Sequence, residues 1–176
     1  MDASFVKIHG YGRALRKLSA TDDEAGETSS AMIETLNAAL EISLLTIMVW
    51  REARGESFDA KLQVAWTVRN RVEHPKWWGK TFSEVITKKW QYSSISNPKD
   101  PQLTLYPTVD GDKVNECLGA AYLAYQRVPT RKPLYPTADS YFDDSIEPPN
   151  WATIDKFVGK IGRLNFYNVD SDVDAY

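Results

Sequence analysis

Apolar residues recur every three or four positions in three parts of the chain, and this spacing predicts helices. The first runs over residues 36–50, becomes almost entirely apolar toward its end, and meets a stop signal at Gly55. The second follows Ser57, a residue type that caps helices, and ends at residue 74, before a proline. The third covers residues 114–127. A mainly helical protein is therefore expected.

The segments between these helices have a different composition. Residues 75–81 form a predicted loop that exposes two tryptophans, and Thr81 or Ser83 is expected to cap a short helix that follows. Residues 90–112 are rich in Ser, Asn, Pro and Asp, and a loop of this length inside a domain is usually functional or mobile. Prolines then break residues 129–149 into turns and short strands, before a final helix and strand. The predicted fold class is α+β, mainly helical, with a small β element.

The 176 residues suffice for one domain. Residues 19–30 are small, polar and acidic, as linkers are, so residues 1–30 are assigned to an N-terminal arm and acidic linker. The arm is either a short amphipathic helix that touches a membrane or partner, or a loosely packed segment. Residues 31–169 form the predicted domain and residues 170–176 an acidic tail.

Charge and composition exclude several classes of protein. A single cysteine cannot form an internal disulfide, and a net charge of −3 gives no overall attraction to nucleic acid. Residues 50–90 carry nine basic and five acidic residues, a net of +4, which suits either a solvated face or a face for an anionic polymer. The apolar run at residues 44–50 is short for a membrane span, so no integral membrane segment is expected.

The residues that could carry chemistry are few. The only histidines are His9 and His74, and no zinc-ligand spacing, phosphate loop or dinucleotide motif occurs, so neither a metal nor a cofactor is expected. Carboxylate chemistry remains. Glu52 lies at the end of the apolar helix, where burial and the negative end of the helix dipole raise a carboxyl pKa. It is either a general acid for glycosidic cleavage or an ordinary solvated glutamate.

Several segments resemble the SleB/CwlJ-type cell wall hydrolases, which include spore-cortex-lytic enzymes. The resemblance begins with residues 51–56 (REARGE) and 68–72 (VRNRV). It continues at residues 90–93 (WQYS), 148–152 (PPNWA) and 161–167 (IGRLNFY). This resemblance implies a lysozyme-like or lytic-transglycosylase-like fold in one catalytic domain, with peptidoglycan glycan strands as the substrate and partner.

The resemblance also implies roles for residues of this chain. Glu52 matches the catalytic acid of the family, while Gln91, Tyr92 and Ser93 match residues that line the cleft. Glu56 matches a second glutamate, which either supports the turn between two helices or takes part in the reaction.

Two further positions bear on substrate binding and two depart from the family. Trp77 and Trp78 are candidates for stacking on sugar rings, and packing is their alternative. Asp143 and Asn165 stand at positions where the family often has histidine.

The implied reaction cleaves the bond between N-acetylmuramic acid and N-acetylglucosamine. Only Glu52 stands out as an acid, so a lytic transglycosylase that forms 1,6-anhydromuramic ends is expected. A hydrolytic muramidase would need a second carboxylate, with Glu56 or Asp100 as candidates. A non-catalytic peptidoglycan-binding or structural module is the other alternative.

The N-terminus lacks a basic start followed by an apolar run and a cleavage site, so no signal peptide is expected. A wall-cutting enzyme of this kind fits a phage endolysin that is made in the host cytoplasm. Release by a holin or transport with the virion would bring it to the wall. A monomer is the expected state.

Overall fold

The computed structural model describes residues 22–107 and 111–170. The chain divides into two compact units, Met1–Ala38 and Ala39–Tyr176. In the described part, five α-helices and three strands follow in the order α1 (Asp22–Ala53), α2 (Phe58–Glu73), α3 (Phe82–Thr87), α4 (Ser93–Ser96), α5 (Asp112–Gln126), β1 (Ser140–Asp143), β2 (Phe157–Ile161) and β3 (Leu164–Tyr167). Short 3-10 turns lie at Pro101–Thr104 and Ile154–Lys156.

Helix α1 begins earlier than the sequence pattern indicated. Residues 22–30 were expected to belong to a linker, and they are helical. Each residue added to an existing helix gains one backbone hydrogen bond, so a helix nucleated elsewhere extends at little cost into a polar segment. The predicted domain boundary after residue 30 consequently falls inside α1. The arm over residues 1–21 lies outside the described residues.

The segment Gly26–Ala53 of α1 is long and apolar enough to cross a membrane, judged by length and composition alone. The run at residues 44–50 is only a part of this segment. In the structure, 22% of the most apolar stretch of this segment is buried. Leu45, Met48 and Val49 have no exposed surface. A core helix can have the same length and composition, so the absence of an integral membrane segment stays a prediction.

Helix α2 forms the centre of the core. It begins as predicted, with the Ser57 hydroxyl accepting a hydrogen bond from the backbone N–H of Ala60. Most of its residues are buried, and it packs against α3 and α5. Its buried polar side chains have partners: the Lys61 ammonium donates to the Glu116 carboxylate across 2.5 Å, and the Gln63 amide pairs with the backbone of Tyr135. Because Lys61 and Gln63 have hydrogen-bond partners, their burial beside the apolar core does not leave a polar group unsatisfied.

The strands form one antiparallel sheet in the order β1–β3–β2, with Tyr141 of β1 opposite Phe166 of β3. The final helix expected near the C-terminus is absent from the described residues, where a 3-10 turn leads into the β2–β3 hairpin instead. Gly162 turns this hairpin with a φ of +57°, and a Cβ there would lie 2.5 Å from the Glu56 carboxylate. The hairpin thus packs directly on the corner between α1 and α2.

Candidate active site

The Glu52 side chain lies in the last turn of α1 and is partly buried. The Ser94 hydroxyl, from α4, donates a hydrogen bond to its Oε1. The Tyr141 hydroxyl, from β1, donates to its Oε2 across 3.0 Å. Each carboxylate oxygen therefore has its own donor, and the two donors come from different parts of the fold.

The pKa of Glu52 is raised above its ordinary value of 4.5. Burial is the largest cause, because it disfavours the charged form, and the negative charge of Asp100 acts in the same direction. The hydrogen bonds from Ser94 and Tyr141 lower the pKa and offset only part of the rise. Burial and the neighbouring carboxylate also raise the pKa of Tyr141 well above its ordinary value, so its hydroxyl remains a donor at neutral pH.

The two arginines near Glu52 in sequence, Arg51 and Arg54, make their hydrogen bonds to other groups. The Arg51 guanidinium donates to the backbone carbonyls of three residues in the long loop, Ser94, Leu103 and Leu105, at 3.0 to 3.3 Å. Arg54 donates to the Gln102 side chain at 2.7 Å. Their positive charges therefore fasten the loop over residues 94–105 and do not cancel the raised pKa of Glu52.

The residues expected to line the cleft fall into two groups. Gln91 and Tyr92 both contact Arg71. The Arg71 guanidinium donates to the side-chain amide oxygen of Gln91 and, across 3.2 Å, to the Tyr92 hydroxyl. Tyr92 is only 2% exposed. Ser93 is exposed and donates to Asp100 across 2.8 Å. The hydrogen bonds of these three side chains are thus to Arg71 and Asp100, whereas the Glu52 carboxylate accepts from Ser94 and Tyr141.

Glu56 lies at the corner after α1, apart from Glu52. Its carboxylate is 3.6 Å from the Arg163 guanidinium, which also lies 3.3 Å from Asp143. Its backbone carbonyl accepts a hydrogen bond from Lys61 at 2.7 Å. These contacts join the corner between the first two helices to the β2–β3 hairpin.

The two tryptophans differ in exposure. Trp78 is 1% exposed and donates its indole N–H to the Arg71 carbonyl at 2.7 Å, so its ring has no free face for a sugar. Trp77 is 57% exposed. Of these two tryptophans, Trp77 has a ring face that is open for stacking on a sugar.

Ser94 and Tyr141 were not anticipated from the sequence. Ser94 is the neighbour of the predicted Ser93, and the helical turn at residues 93–96 decides which serine faces Glu52. Tyr141 follows Glu52 by 89 positions, and no local pattern connects them. Within residues 22–107 and 111–170, no group of three or more His, Cys, Asp or Glu side chains is arranged to hold a metal ion.

Comparison with known proteins gives a family match and two similar structures. The model of a family described as cell wall hydrolase matches residues 55–167, a range that begins just after Glu52. No curated protein sequence matches. Among solved structures, the catalytic domain of the Bacillus cereus SleB protein is similar, with 23% identity and a TM-score of 0.53 over 72% of this chain and 88% of that chain. The catalytic domain of the germination-specific lytic transglycosylase SleB from Bacillus anthracis is also similar, with 23% identity and a TM-score of 0.53. This match covers 72% of this chain and 93% of that chain.

These likenesses confirm the predicted fold class, which is mainly helical and lysozyme-like with a small three-stranded sheet. The family match extends over more than half of the sequence and includes α2, α5 and the whole sheet. The chain therefore belongs to the cell wall hydrolase family.

Proposed function

We propose that this protein cleaves peptidoglycan glycan strands between N-acetylmuramic acid and N-acetylglucosamine, as a lytic transglycosylase. The observation that carries the proposal is the Glu52 carboxyl, which has a raised pKa and a hydrogen-bond donor on each oxygen. A carboxyl that holds its proton toward neutral pH can act as a general acid on a glycosidic oxygen. The family supports a cell wall substrate.

The reaction needs one group that first gives and then takes a proton. Glu52 donates its proton to the glycosidic oxygen while the bond from that oxygen to C1 of the muramic residue breaks, and the N-acetylglucosamine part leaves as an alcohol. The Glu52 carboxylate then takes the proton of the muramic C6 hydroxyl as its oxygen bonds to C1. The product carries a 1,6-anhydro ring, no water is consumed, and Glu52 ends protonated again.

The surroundings of Glu52 suit this exchange. While the carboxylate is charged, the hydroxyls of Ser94 and Tyr141 stabilise it by charge-assisted hydrogen bonds. Burial and the charge of Asp100 favour return of the proton. These opposing effects keep both protonation states accessible in one catalytic cycle.

A hydrolytic muramidase is the second candidate, and the position of Asp100 favours it. Such an enzyme uses two carboxylates, one of which activates water or attacks the sugar. Asp100 is close enough for its charge to raise the pKa of Glu52, whereas Glu56 is near Arg163 and the hairpin. Asp100 already accepts hydrogen bonds from Ser93 and from the backbone N–H of Gln102, which suits a fixed structural acid better than a free base.

Mass spectrometry of the soluble fragments from purified peptidoglycan tests the proposal. The wild type, Glu52→Gln and the matched control Glu147→Gln, an exposed glutamate on a loop, would be compared. We expect fragments with 1,6-anhydromuramic ends from the wild type and the control, and none from Glu52→Gln. Reducing muramic ends would contradict the transglycosylase and favour the muramidase. No fragments from the wild type would favour the non-catalytic binding module.

A further inference from the structure

A groove of about 620 Å³ is lined by residues other than those that contact the Glu52 carboxylate. It is formed by the loop at residues 76–80, by α3 and by residues 87–89. Neither Ser94 nor Tyr141, the hydrogen-bond partners of Glu52, lines it. The groove is therefore a separate feature of the second compact unit.

The groove is positively charged. One acidic residue, Glu84, lines the groove. Four lysines also line it: Lys76, Lys80, Lys88 and Lys89. The Glu84 carboxylate already accepts a hydrogen bond from the backbone N–H of Lys80 at 2.7 Å. Among the ion pairs of residues 22–107 and 111–170, none involves Lys80, Lys88 or Lys89. These ammonium groups remain available to an anionic ligand.

Two exposed tryptophans border the lysines. Trp77 lines the groove and is 57% exposed, with its indole N–H 3.5 Å from the Asp170 carboxylate. Trp90 adjoins Lys89, whose ammonium lies 5.0 Å from the centre of the Trp90 ring. Trp90 is 76% exposed and has a φ of +72°, a left-handed conformation that is strained for a bulky side chain. Most of the Trp90 ring surface is open to solvent beside the Lys89 ammonium, so a ligand bound to the lysines can also cover the ring.

We infer that this lysine–tryptophan groove binds a second part of the peptidoglycan polymer, away from the bond that is cut, through the carboxylates of its stem peptides. The inference rests on the proposed function and names a further subsite for the same substrate. Peptidoglycan combines sugar rings, whose C–H faces pack on indole rings, with acidic peptides that pair with ammonium groups. The cations are all lysines, flexible point charges that fit carboxylates at varied positions better than the rigid fork of arginine does.

The groove is linked to the segment before α4 by hydrogen bonds of Trp78 and Arg71. Trp78 lines the groove and donates to the Arg71 carbonyl. The Arg71 guanidinium in turn donates to Gln91, which lies shortly before the α4 serine that contacts Glu52. A polymer held in the groove would therefore be held at a fixed position relative to the catalytic acid.

Co-sedimentation with insoluble purified peptidoglycan tests the inference. The binding protein is Glu52→Gln, so that the wall is not digested during the measurement. It would be compared with the same protein carrying Lys80→Glu and Lys88→Glu, and with a matched control carrying Lys113→Glu and Lys132→Glu, two exposed lysines outside the groove. We expect roughly tenfold weaker binding for the groove variant at low salt, with a smaller difference at high salt, and no loss for the control. Equal binding by the two variants would overturn the inference.

Two chemical treatments of the purified peptidoglycan show which of its anionic groups binds the lysines. Amidation of the stem-peptide carboxylates with ethanolamine and a carbodiimide, which leaves the wall insoluble, should lower binding of the parent protein to the level of the groove variant. Removal of phosphodiester polymers with hydrofluoric acid should leave it unchanged. Loss of binding after the acid treatment would overturn the assignment to stem-peptide carboxylates.

Fragment release by the wild type on the same wall separates the two proposals. Release of fragments together with equal binding by both lysine variants would refute the groove alone. Absence of release would refute the proposed function, whatever the lysine variants do.

Discussion

The hydroxyl of Tyr141 lies 3.0 Å from Oε2 of Glu52 and donates a hydrogen bond to it. This bond joins the first strand of the sheet to the end of the first helix. It stabilises the charged form of Glu52, since its effect on the Glu52 pKa is downward. The sheet therefore adjusts the acidity of a group that belongs to a helix.

Replacing Tyr141 with Phe removes this donor and leaves the ring. The pKa of Glu52 should rise further, because the lost bond had lowered it. The alkaline limb of the pH–rate profile should move to higher pH. The maximal rate should fall roughly tenfold, because the carboxylate formed during the reaction loses a charge-assisted bond. Clearance of a peptidoglycan suspension at several pH values measures both effects, and an unmoved limb would contradict the role assigned to Tyr141.

Replacing Asp100 with Asn should have the opposite effect on the pH profile. The charge of Asp100 raises the pKa of Glu52, so its removal should lower that pKa and move the alkaline limb to lower pH. Under the proposed transglycosylase mechanism, the variant should keep most of the maximal rate. If Asp100→Asn abolishes cleavage at every pH while the fold is retained, Asp100 is the second carboxylate of a muramidase.

Replacing Glu52 with Gln should stabilise the fold at neutral pH. Below the ordinary pKa of 4.5, Glu52 is protonated in both the folded and the unfolded chain and costs nothing. As pH rises from 4.5 through the raised pKa of the folded state, the unfolded chain releases its proton first, and the folded state loses stability. The Tm of Glu52→Gln should therefore exceed that of the wild type above this window, and the difference should shrink toward pH 4. A constant difference across this range would speak against the raised pKa.

Replacing Arg51 with Ala should loosen the long loop. Arg51 donates hydrogen bonds to three loop carbonyls, and hydrogen bonds of a charged group contribute about 1.5–3 kcal/mol each at most. We expect a loss of about 2 kcal/mol or more in the free energy of unfolding, together with faster proteolysis between residues 94 and 107. Arg131→Ala is the control, because its exposed ion pair with Asp59 should contribute less than about 1 kcal/mol. Similar losses in the two variants would show that Arg51 does not fasten the loop.

The thiol of Cys117 should react only after unfolding. Cys117 is fully buried, and burial raises its pKa to about 11, so the reactive thiolate is scarce at pH 8. Iodoacetamide should leave the native protein unlabelled and should label it fully in denaturant. Rapid labelling of the native protein, read by mass spectrometry, would show that α5 is not packed as described.

Local features of the sequence predicted much of the fold. Ser57 and Thr81 both cap the helices that follow them, because the capping bond joins residues only three positions apart. The helix predicted over residues 114–127 followed from apolar spacing alone, and α5 covers Asp112–Gln126. Glu52 could be singled out for the same reason, since it ends an apolar helix just before Gly55.

Features that depend on contacts between distant segments could not be predicted. The partners of Glu52 lie 42 and 89 positions away, and only the folded chain shows that Ser94, and not Ser93, faces the carboxylate. The burial of Trp78 was missed because a loop tryptophan can turn either way, and the hydrogen bond to Arg71 decides it. The helix over residues 22–30 continues from the apolar part of α1 by helix propagation, so the polar composition of this segment did not predict it.

The distance along the chain between Glu52 and its two partners has a consequence during synthesis of the protein. Before Tyr141 has left the ribosome, the Glu52 carboxyl is neither enclosed nor hydrogen-bonded as in the finished fold, and its pKa is near the ordinary value. At neutral pH such a side chain has already lost its proton and has none to give a glycosidic oxygen. Under the proposed mechanism, incomplete and misfolded chains therefore lack a protonated Glu52 at neutral pH, and this proton donor forms only when folding is complete.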